Sequence, residues 1–219
     1  LSQVVSAMEE SATQDIRADK LLPKVFEVMG VPADPDVAAA VDKLKAWMAD
    51  GGHRRDLDKD GVYEHNEAIQ ILDAWWPKLV AAQFQSGLGD EAFAEIQKMI
   101  SFGAVTSRPS APGFADGWWG YSLQDLQRLQ SGADVPGGFP VTFCGNGDAA
   151  ACATAMQDAL KQALAVTPEQ LYGFGACATD PQPSCWNANR ARVTAGVTSP
   201  NVYPFQNRPT FQQAVSVGK

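Results

Sequence analysis

The chain has 219 residues, enough for one large domain or two small ones, and 45% of them are hydrophobic, enough to bury a core. Its 25 acidic and 17 basic residues leave a net charge of −8, which excludes a nucleic-acid binder that works by neutralising phosphates. Six Trp and ten Phe exclude a disordered chain, and no apolar run approaches the roughly 20 residues of a membrane span.

The chain opens at Leu1, with neither an initiator Met nor a signal peptide, and so reads as a processed product or an excised piece. Ser2 is expected to cap a helix through about residue 15, with Val4, Val5, Met8 and Ala12 at helical spacing. A second helix starts near Pro23, carries Val25, Phe26 and Met29, and stops at Gly30. Asp34-Pro35 is an N-cap followed by a first-turn proline, and Val37, Val41, Leu44 and Trp47 then share one face until Gly51-Gly52. After a polar loop, residues 53–63, a strongly apolar helix bears Ala68, Ile69, Leu72, Trp75, Trp76, Leu79 and Val80, with Pro77 expected to kink it. Asp90 caps a further helix to about Ile100.

The character changes near Ser107. Residues 107–117 read as a long loop, Trp118 opens a short helix ending near Gln130, and 131–140 form another Gly/Pro loop. A helix from about Ala149 to Ala165 follows, then a turn capped by Thr167 ahead of Pro168 and Glu169. The tail is extended in flavour, and Phe211 to Val217 reads as a strand that needs a partner sheet from outside the chain. The expected fold is mainly α, with irregular loops and one or two C-terminal strands. It divides into a helical region, 1–106, and a loop-rich helical region, 107–219, which together make one structural unit.

Cys144 and Cys152 are eight residues apart, as are Cys177 and Cys185. Four cysteines allow three connectivities, of which two local bridges are the simplest. A zinc site would need a tight C-x-x-C or a nearby histidine, and His53 and His65 lie far upstream. Four buried thiols are the plain alternative. The even count and the loop settings favour disulfides, hence an oxidising compartment: secreted, periplasmic or cell-surface.

The sharpest local motif is the twelve-residue run from Asp56 to Glu67, DLDKDGVYEHNE, which fits D-x-D-x-D-G-x5-E. Calcium takes six to eight oxygen ligands at about 2.3–2.6 Å. Asp56, Asp58 and Asp60 offer carboxylates from alternate positions, Gly61 permits the sharp turn, and Val62 offers its carbonyl. Glu64 holds the often water-bridged ninth place, and Glu67 can bind bidentately from the helix that follows. The plain alternative is an acidic turn capping that helix. Because the incoming helix ends at Gly51-Gly52, the expectation is a solitary EF-hand-like loop holding structural Ca2+. His53 and His65 read as surface or packing residues, and Arg54 and Arg55 as partners of nearby acids, worth little if exposed.

No nucleophile elbow, H-E-x-x-H or P-loop is present, and no catalytic residue is assigned. Trp75-Trp76 and Trp118-Trp119-Gly120-Tyr121 line a pocket or, more commonly for such residues, pack into the core.

Four stretches carry a family resemblance: SQVVSAMEESATQDIRADKLLP at 2–23, DLDKDGVYEHNEAIQILDAWWPKLV at 56–80, GWWGYSLQDL at 117–126 with the later CGNGDAAAC, and NRPTFQQ at 207–213. In this order they resemble the C-terminal part of the penicillin acylase family, especially its large secreted bacterial members. The resemblance implies an N-terminal-nucleophile hydrolase, in which a serine at a new chain start attacks an amide and its own α-amino group serves as base. Leu1 has no nucleophilic atom, and none of the four stretches is the nucleophile motif. The implied role is the structural C-terminal portion of the enzyme, partnered by the remaining chain or chains of the same precursor, with the tail strand joining their sheet. The rival reading is a free-standing secreted calcium-binding helical module that meets a partner through its aromatic surface.

Overall fold

The computed structural model describes residues 2–58, 62–99, 118–132 and 140–172. The 107–117 loop, Asp60, Cys177, Cys185 and the expected tail strand lie outside these residues. All the regular elements described are helical, and none of the helices is long and apolar enough to cross a membrane.

Helix α1, Ser2–Thr13, ends earlier than its apolar pattern predicts, because the chain leaves it to pair with another segment. Gln14 forms an isolated antiparallel bridge with His53, Asp15 N donates to Gly52 O at 2.8 Å, and Arg54 N donates to Thr13 O at 2.9 Å. This pairing fixes residues 13–15 against 52–54. A π-helical turn, Arg17–Leu21, then runs directly into α2, Leu22–Met29, and Pro23 sits in the first turn of α2. The wide turn places Arg17, Ala18 and Leu21 all on the buried side.

Helix α3, Pro35–Ala49, begins as its sequence predicts. The Asp34 carboxylate accepts from Asp36 N at 3.0 Å and Val37 N at 3.4 Å, and Pro35 presets the first turn. Val37, Ala40, Val41, Leu44 and Trp47 turn inward. The helix stops at two glycines with positive φ. At Gly52, φ 67°, a Cβ would come within 2.8 Å of Ala18 Cβ, so the close approach of this turn to the π-helical segment requires glycine.

Helix α4, Asn66–Leu88, is the central element. Pro77 lies inside it without ending it: Trp75, Trp76, Leu79 and Val80 are all buried around the proline, and packing outweighs its local cost. The run Leu72 to Trp76 is buried without a break, so α4 is enclosed on several faces. Helix α5, Asp90–Met99, turns Phe93 inward, and α6, Trp118–Ser131, buries Leu126. Helix α7, Ala149–Leu164, packs lengthwise on α4 and presents Cys152, Met156, Ala159, Leu160 and Ala163 to it at helical spacing. Its N-cap Asp148 accepts from Ala150 N at 2.8 Å and Ala151 N at 3.0 Å. A short α8, Pro168–Tyr172, follows Thr167. The capping box there closes through Gln170, whose side-chain oxygen accepts from Thr167 N at 3.0 Å, rather than through Glu169. A single apolar core runs from α2 to α8, across the composition change near Ser107.

Candidate functional site

The acidic loop leaves the 52–54 pairing at Arg55. Glu64 N donates to Arg55 O at 2.9 Å and closes the loop at its base. His65, in the left-handed region at φ 58°, turns the chain into α4, and its Nε2 lies 3.2 Å from Asp50 Oδ2. Glu64 Oε1 accepts from Leu57 N at 2.8 Å, while its Oε2 is buried and has no hydrogen-bond partner among the described residues. Glu67, expected as the bidentate ligand, instead meets Lys43 of α3 at 2.5 Å, and both side chains are more than half exposed. Asp56, Asp58 and Val62 lie on the described parts of the loop, and Asp60 is outside them. Among the described residues no three His, Cys, Asp or Glu side chains converge on one point.

Arg54, two residues before the acidic run, belongs to a buried charge cluster that sequence reasoning did not assemble. Asp15, Arg17, Arg54 and Asp73 are between 0% and 6% exposed. Arg17 Nη2 donates to Asp15 Oδ2 at 2.7 Å and Asp73 Oδ1 at 3.2 Å, and its Nε donates to Asp15 Oδ1 at 3.0 Å. Arg54 Nη2 reaches both acids, at 2.9 Å to Asp15 and 2.5 Å to Asp73, and its Nη1 donates to Asp73 Oδ2 at 2.9 Å. Arg17 also stacks over Trp76, 5.5 Å from the ring centroid. Two guanidiniums balance two carboxylates, which is how this much charge tolerates burial. Burial alone would push the Asp15 carboxyl up; Arg17 and Arg54 more than reverse that and hold it well below the usual carboxylate range.

Around the clamp, Trp47 Nε1 donates to His53 O at 2.7 Å. His53 Nδ1 lies 3.2 Å from Thr13 Oγ1 and 3.1 Å from Arg55 Nη2. Its pKa is lowered, first by burial and then by the Arg55 charge. His53 is therefore a packing residue of this junction, whereas the partly exposed His65 pairs with Asp50. Arg54, expected to pair with nearby acids, does so with Asp15 and Asp73, and because it is buried the pairing is the centre of the clamp.

A second junction forms around the disulfide Cys144–Cys152, with Cα atoms 5.0 Å apart. The sequence pairing of these two cysteines is present, and both are fully buried. Asp125 of α6 accepts from Phe143 N at 2.6 Å and Cys144 N at 3.0 Å, anchoring the incoming end of the loop. Burial raises the Asp125 pKa, and the two backbone donors pull it partly back. Phe143 packs on Phe84 of α4, ring centroids 5.6 Å apart.

Of the aromatic clusters, Trp75 and Trp76 belong to the core. Trp119 is half-buried and, with Ile16, Pro23 and Leu123, lines a groove of about 410 Å³ rimmed by Lys20 and Lys24. Lys20 is paired with Asp19 and Lys24 with Glu27, so the rim charges are already answered.

The described body is thus a helical structure whose buried ionisable groups bind one another or the backbone. The family model for penicillin amidase matches residues 3–210. The chain belongs to the penicillin amidase family, a family of amide hydrolases. None of the curated proteins matches it.

Proposed function

We propose that this chain is the structural C-terminal portion of an exported penicillin-amidase-type enzyme that hydrolyses linear amide C–N bonds, with the nucleophile carried on another segment. The observation that carries this reading is the family match over residues 3–210 joined to the use of the buried charges. Asp15, Arg17, Arg54 and Asp73 neutralise one another, and Asp125 holds the backbone of the disulfide loop. Groups so committed position helices; they do not exchange protons with a substrate. The disulfide fits an oxidising compartment.

In the same reading the acidic loop holds calcium. Its support is the ligand spacing from Asp56 to Glu67 and the buried Oε2 of Glu64, which has no hydrogen-bond partner among the described residues and is an oxygen suited to a cation. Asp56, Asp58, Asp60, the Val62 carbonyl and Glu64 would supply oxygens, and Glu67 would exchange Lys43 for the ion. Bound there, the cation would brace the start of α4, the helix that carries Asp73 of the clamp.

Co-expression of the chain with the preceding family segment tests the reading. A stable complex that cleaves a chromogenic anilide, while neither part does so alone, is the expected result. A folded, monomeric chain whose stability and activity ignore the added segment would instead favour a free-standing calcium-binding module.

A further inference from the structure

Residues 144–148 read Cys-Gly-Asn-Gly-Asp and form a tight loop closed by the Cys144–Cys152 bridge. Asn146-Gly147 is the one Asn-Gly pair in the sequence; the other asparagines precede Glu67, Ala188, Arg190, Val202 and Arg208. A glycine after asparagine has no Cβ to hinder attack of its backbone nitrogen on the side-chain amide. Both residues are exposed to water.

The loop conformation opposes that attack. Cyclisation needs the Gly147 nitrogen and the Asn146 Cβ on the same side of the Cα–C bond. At φ 52° and ψ 36° for Asn146 they lie nearly opposite. The surroundings hold Asn146 in this state: its N–H donates to Phe143 O at 3.0 Å, and Asp148 N donates to Gly145 O at 3.0 Å. Gly145, φ 58°, lies so close to α7 that a Cβ there would come within 2.6 Å of Cys152 N. The disulfide is the covalent tie that keeps this loop against the helix.

We propose that Asn146-Gly147 is a deamidation site gated by the Cys144–Cys152 disulfide. While the bridge is closed, the Gly147 nitrogen is held away from the Asn146 amide carbon. A thiol reductant gives two electrons and two protons to the sulfurs, is itself oxidised, and frees the loop. The Gly147 nitrogen then bonds to Asn146 Cγ and loses its proton, and the side-chain nitrogen leaves as ammonia, giving a five-membered imide. Water adds to one imide carbonyl and breaks its C–N bond, leaving aspartate or isoaspartate. The product carries a new negative charge two residues before Asp148, the cap of α7, and isoaspartate lengthens the backbone of the loop by one carbon. Reoxidation does not undo either change, so the site records that the bridge was once open.

Timed incubation of the full chain at mildly alkaline pH, with and without a phosphine reductant, followed by tryptic mass mapping, tests this. The peptide containing Asn146 should gain the mass of an amide-to-acid exchange roughly tenfold faster when reduced, as expected where local opening controls the reaction. Asn66 should stay unchanged. A Cys144→Ser/Cys152→Ser variant should match the reduced rate without reductant, which separates this bridge from Cys177 and Cys185. Asn146→Gly, which suits the positive φ, should abolish the signal. Equal rates with the bridge open and closed overturn the gate, and earlier conversion at another asparagine overturns the site. Loss of helical circular dichroism in step with conversion assigns the effect to unfolding and also overturns the gate.

Discussion

Replacing Arg54 by methionine should be among the most damaging single changes in the described body. The side chain gives two hydrogen bonds to Asp15 and two to Asp73, all at 3.2 Å or less. Methionine fills much of the volume but leaves two buried carboxylates facing one guanidinium. Removing one partner of a buried ion pair costs about 3–5 kcal/mol, mostly through the charge left behind. With a urea m-value of about 2 kcal/mol/M, the unfolding midpoint should fall by about 1.5–2.5 M. The double variant Arg54→Leu/Asp73→Leu keeps the charge balance and the bidentate Asp15–Arg17 pair, so it should lose less than Arg54→Met alone. Urea titration followed by circular dichroism reads both. An Arg54→Met stability within about 0.5 kcal/mol of the parent, or a double variant worse than the single, would refute the charge-balance argument.

The clamp and Asp125 should respond to acid with opposite signs. The folded pKa of Asp15 lies below its unfolded value, so its contribution is complete above about pH 5 and is lost as pH falls toward the folded value. Asp125 has a raised folded pKa, so its contribution improves as pH falls from that value toward about 4. The parent should therefore gain on Asp125→Asn over that window, and parallel melting-temperature curves for the two proteins would contradict this. Gly145→Ala should cost about 1–3 kcal/mol in strain at positive φ, with a further penalty from backbone contact at 2.6 Å, read as a lower urea midpoint and slower bridge formation. Calcium at a hundredfold excess over its Kd should add about 2.7 kcal/mol, or about 5–10 °C in Tm. Superimposed melts in calcium and in chelator would remove the metal from the acidic loop.

Features written locally in the chain were legible from sequence. Asp34-Pro35 and the Val37, Val41, Leu44 and Trp47 stripe define α3 within a few residues of each other, and that helix lies where they put it. The Cys144–Cys152 bridge is likewise a short-range feature. The clamp was not legible, because its bonded partners are up to 56 residues apart and Arg54 and Arg55 look alike in sequence. One signal existed: Asp73 is a lone charge inside the apolar run Ile71-Leu72-Asp73-Ala74-Trp75, which a buried helix carries only when the charge is answered. Pro77 lies within α4 without ending it, since burial of Trp75, Trp76, Leu79 and Val80 around it holds the helix together. In the acidic loop, spacing assigns Glu67 to the cation, but a neighbour from α3, Lys43, competes for it.

The clamp also bears on the order of folding. Asp15 reaches 39 residues along the chain to Arg54, and Arg17 reaches 56 to Asp73, whereas the helices they join form from contacts within a few residues. Closing those long loops is entropically costly and comes after local helix formation. Interactions made late slow unfolding more than they speed folding. The four buried charges therefore act as a kinetic lock: substitutions there should shorten the lifetime of the native state while leaving the refolding rate nearly unchanged.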